Sequence, residues 1–143
     1  MTATSVIEAI KTFIATYAEI AANDPLTVDF LGTTLPGYSI VSLPGGGWVE
    51  KWLTGGGTKE YTFAFQSAFS TADEATRLEN SGFFEAFATW MDTQTDADNL
   101  PVLPAGMTAE RIEAVNQGFL YEQGESQSGI YSIQCRLVYE VTV

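Results

Sequence analysis

The residues of this chain that could do chemistry are its carboxylates and one thiol. Of its 143 residues, 18 are Asp or Glu, one is Cys and none is His. Without imidazole the commonest general base and the commonest metal ligand are missing, which excludes every mechanism built on a histidine triad or dyad. Paired carboxylates could act as acid and base in a hydrolase. Asp29, Glu50, Asp73, Glu74 and Glu79 are candidates by residue type. Their spacing draws no two of them into one apolar cleft, and charged side chains are mostly solvated. Asp92, Asp96 and Asp98 could serve a cation, but they do not follow the calcium-loop pattern. Cys135 falls on the apolar side of an alternating segment, with no base beside it to lower its pKa. It reads as a small core residue, and a lone thiol that forms no disulfide within the chain fits a reducing compartment. The expectation is a protein that is not an enzyme and needs no metal or cofactor.

Two glycine runs stand out, Gly45-Gly46-Gly47 and Gly55-Gly56-Gly57. Neither fits a phosphate-binding loop, and neither opens a helix. They read as turns, the second as a flexible hairpin tip, with a mobile assembly loop as the functional alternative. Trp48 and Trp52 lie beside them and share one face with Glu50 on a strictly alternating strand. Aromatic side chains are enriched at protein interfaces, so that face is a candidate contact surface.

Charge narrows the partners. The net charge is −12, and the six cations, Lys11, Lys51, Lys59, Arg77, Arg111 and Arg136, are scattered. Gripping nucleic acid needs clustered cations, and an anionic membrane would repel this chain. No apolar run is long enough to span a membrane, and the opening MTATSVIEAIKTF lacks the basic start of a signal peptide. With 45% hydrophobic and 17% charged residues, the composition is that of a globular chain. Its length suits a single domain over residues 1–143.

Periodicity supplies the elements that must position these residues. Residues 4–22 carry apolar positions at helical spacing, with Ser5 and Glu8 forming a capping box and Thr4 as an alternative cap. Asn23-Asp24-Pro25 ends that helix. Strands are expected over 26–31, 37–43, 48–54 and 58–69. In the last of these Tyr61, Phe63, Phe65 and Phe69 share one face, with Thr62, Ala64, Gln66 and Ala68 on the other. A second helix covers 72–95, capped by Thr71 with Glu74. Its apolar stripe starts at Ala75 and Leu78 and continues through Phe83, Phe84, Phe87, Trp90 and Met91. Gly82 inside it suggests a bend or a close contact, and the acidic cluster suggests a frayed end. After a loop over 99–108, residues 109–122 favour one strand with a bulge near Gly118. Residues 129–142 form the clearest strand, with Tyr131, Ile133, Cys135, Leu137 and Tyr139 facing one way and Arg136 the other. The last two strands should pair as a hairpin across EQGESQSG. Short connections favour antiparallel pairing. The expected fold is α+β, a mostly antiparallel or mixed sheet with two amphipathic helices packed on one face.

The tracts SVIEAI, TVDFLG followed by YSI, ENSGFFEAFATWM, NLPVLPAGMTAERIEAV and YSIQCRLVYE occur in this order along nearly the whole chain. Together they resemble a family of phage and prophage proteins called minor capsid proteins, which is similar to the tail terminators of long-tailed phages. The resemblance implies an α+β subunit of a structural ring, commonly hexameric. Such a ring caps the finished tail tube, stops its polymerisation and presents a surface for head joining. It also implies contacts with other copies, the tail tube protein and a head–tail connector protein, and a location at the head-proximal end of the virion tail after assembly in host cytoplasm. DNA would pass through the lumen without specific binding, and an acidic lining would not hold it. The tracts are structural, so they carry no site residues. Two alternatives are another tail or connector subunit of similar fold and a carboxylate-dependent hydrolase.

Overall fold

A computed structural model describes residues 5–17, 26–28, 37–70, 73–123 and 128–142. Helix α1 spans Val6–Ile14, and strands β1 (Leu26–Val28), β2 (Gly37–Ser42), β3 (Gly47–Lys51) and β4 (Gly57–Ser70) follow it. Helix α2 runs over Glu74–Asp96, then β5 (Met107–Ala114), β6 (Phe119–Gln123) and β7 (Ser128–Val141) complete the fold. Among the described residues all seven strands form one sheet, with the order β1-β2-β4-β7-β5. Strand β3 extends the β2 side by pairing with β4, and β6 extends the β5 side by pairing with β7. Every pair is antiparallel except β1 with β2, which is parallel. The α+β expectation holds, with a mixed sheet.

Alternation in β4 and β7 decides where the core sits. Phe63 lies opposite Cys135 and Phe65 opposite Ile133, so both strands turn one apolar face the same way. Ile40 of β2 and Ile112 of β5 extend that face, and all six side chains are fully buried. Both helices cover it. Helix α1 contributes Ile10, Phe13 and Ile14, and α2 contributes Phe84, Phe87 and Met91. Rings join the layers, with Phe65 and Phe87 centroids 4.5 Å apart and Phe13 and Trp90 5.0 Å apart. The opposite face carries small or polar residues, among them Ser39, Ala64 and Ser132, and a ladder of charge. Arg136 meets Glu113 at 2.8 Å and Glu60 at 3.8 Å, and Glu113 also meets Arg111 at 3.0 Å.

The helix ends have local causes. The Ser5 hydroxyl accepts the Glu8 backbone N–H, so Ser5 rather than Thr4 caps α1. The helical part ends at Ile14, and Tyr17 beyond it packs edge-on against Phe83 and Phe87. The stop at 23–25 lies outside the described residues. The cap of α2 is Asp73, whose carboxylate accepts the Thr76 N–H at 2.8 Å. That backbone bond holds the Asp73 carboxyl below its ordinary pKa. The expected cap, Thr71, lies outside the described residues. Leu78 does not open the stripe: it is exposed, about 120° around the helix axis from Phe84. The end of α2 is closed by Asp98 N–H to Thr95 and Asn99 N–H to Gln94. This is the Schellman pattern, in place of the expected frayed end.

Three further expectations are corrected. The segment 109–122 is two strands rather than one, with bulges after Ala109 and Leu120. Gly118 is not a bulge residue. A Cβ there would strike the Phe84 side chain, so the chain passes α2 with no room to spare. Around Gly82 a Cβ would meet nothing within 4 Å, so no close contact requires glycine there. The first strand is described only over Leu26–Val28, and Asp29 and Leu35-Pro36 lie outside the described residues.

Leu137→Ala is expected to cost about 2–5 kcal/mol through the cavity it leaves, and Leu137→Asp to prevent folding. Arg136→Ala, in a solvent-screened ladder, should cost about 0–1 kcal/mol. Chemical denaturation compares them, and equal losses at the two positions would contradict the register. By the same measurement Gly82→Ala should stabilise by about 0.5–1 kcal/mol, whereas Gly118→Ala should destabilise.

Candidate functional site

The candidate residues converge on one hairpin at the margin of the sheet. Gly45 and Gly46 lie in the β2–β3 connection, Gly47 and Trp48 open β3, Trp52, Gly55 and Gly56 build the turn, and Gly57 opens β4. Trp52 N–H donates to the Gly56 carbonyl and Gly55 N–H to the Trp52 carbonyl, each at 3.1 Å. The second glycine run has steric causes. Gly56 and Gly57 adopt φ of 76° and 146°, a region that L side chains avoid. A Cβ on Gly56 would collide with the Val141 carbonyl, and one on Gly57 with the Glu50 carbonyl. The tip is thereby set against the end of β7.

A bulge corrects the expected face. Trp48 pairs with Lys59 and Glu50 with Thr58, so the register shifts at Val49. Trp48 and Glu50 therefore lie on opposite faces of the sheet, and Trp52 belongs to the turn rather than to the strand. Trp48 instead shares its face with Lys51 and Lys59, whose ammonium groups each lie 5.0 Å from its ring centroid. This is cation–π geometry. Two of the six cations of an acidic chain thus flank one partly exposed tryptophan.

Exposed apolar side chains extend the site beyond the expected residues. Val49 and Leu53 stand out from β3 and its turn, and Leu53 is fully exposed. On the opposite margin Val115, Phe119, Leu120 and Tyr121 are exposed along β6 and the turn before it. Phe119-Leu120-Tyr121 is a run of consecutive large apolar residues, the signal that strand alternation alone passes over. A third feature is a cleft between the α2–β5 connection and the start of β5. It has a volume of about 270 Å³ and is lined by Leu100, Pro101, Val102, Met107, Ala109 and Asp98, among others.

No protein-family model matches the chain, and no curated protein matches it. Chemistry at the remaining candidates is limited by placement. Among the described residues no group of three His, Cys, Asp or Glu side chains is placed to hold a metal ion. Glu50, Asp73, Glu74, Glu79, Asp92, Asp96 and Asp98 are all exposed. Cys135 is fully buried under the helices, and burial pushes its thiol pKa up, the opposite of an activated nucleophile.

That burial predicts an alkaline weakness. The folded state keeps the Cys135 proton, while the unfolded thiol loses it near pH 8.5. Stability is full below that pH and falls above it, by at most about 1.4 kcal/mol per pH unit per proton. Tyr139, raised by burial and by Tyr61 beside it, adds to the fall at higher pH. Denaturation midpoints from pH 7 to 10 should decline for the native chain and less steeply for Cys135→Ala. Parallel slopes would show that the thiol ionises while folded.

Proposed function

We propose that this chain is a structural virion subunit, a tail terminator that closes into a ring on the end of the tail tube. There it ends tube polymerisation and offers the surface on which the head is joined. The observation supporting the ring is the placement of exposed apolar residues on opposite margins. Trp48, Val49 and Leu53 mark one margin of the sheet, and Val115, Phe119, Leu120 and Tyr121 the other. Patches that differ and face apart suit a heterologous contact, one copy's left margin against the next copy's right, and such contacts close into rings. The tail assignment rests on the five tracts that resemble the minor capsid family.

Size and charge are compatible with this role. A compact chain of this length has a radius of gyration of about 14–15 Å, so an equivalent sphere is about 37 Å across. Six such spheres in a closed ring enclose a hole of about the same width, enough for duplex DNA, and three enclose almost none. At −12 per copy, free subunits repel one another until salt screens them. That repulsion keeps caps from forming before a tube is present.

Sedimentation over a salt series, with and without purified tail tubes, tests the reading. Free protein should be monomeric at low salt, associate as salt rises and close into a ring on tubes. Binding along the tube rather than at its end would favour a tube or connector subunit. A tight dimer under every condition, without tube binding, would overturn the ring.

A further inference from the structure

We propose that the β3–β4 turn of one copy seats Leu53 in the α2–β5 cleft of a second copy. This deepens the ring reading by naming a contact, and rests on that reading only for the number of copies. Leu53 is fully exposed on a turn held by two backbone hydrogen bonds. None of the described residues buries its side chain. The cleft, about 270 Å³, is smaller than the about 300–1,000 Å³ of small-molecule sites. An apolar cavity of about 150 Å³ accepts a benzene-sized group, so this cleft suits one side chain with part of a neighbour. Its wall offers polar and apolar surface in about equal measure, the apolar part from residues such as Leu100, Pro101, Val102 and Met107.

Topology puts projection and cleft on the same end of the sheet and on opposite margins. Lys51 pairs with Gly57, Gly57 with Val141 and Val141 with Met107, so one row crosses from the turn to the cleft. Four strands at about 4.8 Å spacing separate the two by roughly 14 Å. A projection and a cleft on opposite margins of one subunit suit a head-to-tail contact between copies.

Charge complements shape. Lys51 and Lys59 stand beside the turn, and Asp98 stands in the cleft wall with Asp96 and Glu110 close along the chain. Asp98 is also costly to its own fold. It has φ of 56°, the only positive value at a non-glycine among the described residues. It occupies the position after the helix cap where glycine is usual, and it puts an anion at the negative end of α2. Its exposed carboxylate is open to a cation brought from outside, and the lysines beside Leu53 carry one.

Cross-linking between copies tests the contact directly, because the one native thiol is buried. Leu53→Cys protein mixed with Val102→Cys protein should form an intermolecular disulfide at least about tenfold faster than with Leu78→Cys protein, owing to local effective concentration. Leu78 is exposed to a similar degree as Val102 but lies on α2. Leu53→Ser should weaken association about tenfold or more, as for an interface anchor, and leave the melting temperature unchanged. Asp98→Gly should raise the melting temperature yet weaken association, a pairing that a purely structural Asp98 would not produce. Equal cross-linking rates, with rings that ignore Leu53→Ser, would overturn this contact and leave the ring standing. Fast cross-linking by a chain that never closes into rings on tubes would keep the contact and overturn the ring. A Leu53→Cys protein that cross-links to the tail tube protein instead would show that the turn serves a different partner.

Discussion

The in-register pairing of β4 with β7 is the constraint on which the rest of the molecule depends. The ladder joins Gly57–Ser70 to Ser128–Val141 along its whole length. It places Tyr61, Phe63 and Phe65 beside Leu137, Cys135 and Ile133 on one face. A slip by one residue would turn that set to solvent and bring Arg136 and Gln134 under the helices. The other strands hang on this pair, β2 and β3 from β4, β5 and β6 from β7, and both helices cover the face it defines.

Two long strands flanked by short ones leave margins made of ends and turns. Strand β3 bulges at Val49, β5 after Ala109 and β6 after Leu120. Bulges and edge lysines are the usual devices that prevent one sheet from adding to another. These margins therefore resist main-chain pairing while leaving large apolar side chains in water. Contact through side chains, a projection into a cavity, is the mode that such margins favour over a continuous sheet between copies.

The sequence made β4, β7 and α1 legible because each carries one apolar face at a single period. It made Trp48 and the glycine runs legible as one neighbourhood through their proximity in the chain. What stayed hidden was set by contacts distant in sequence. The bulge that separates Trp48 from Glu50 depends on how β3 pairs with β4. Between β5 and β6 the chain passes so close to Phe84 that Gly118 has no room for a Cβ, a contact distant in sequence. Leu78 looked like core because its residue type fits, yet it falls off the side of α2 that the sheet covers. The cleft joins a loop to a strand, so no periodicity announces it. Asp98 looked like one member of an acidic surface cluster, and only its backbone angle sets it apart.

The central ladder also has a kinetic meaning. Its closest pair along the chain, Ser70 with Ser128, encloses α2, β5 and β6. The chain must therefore close a long loop before its two longest strands can meet, and topologies of this kind fold slowly. Until β7 arrives, the aromatic face of β4 lacks the partner that completes it, and one of its edges is open along its whole length. During synthesis that interval is when a chaperone would be most useful to this protein, and it is when identical chains made close together are most exposed to one another's unpaired strands.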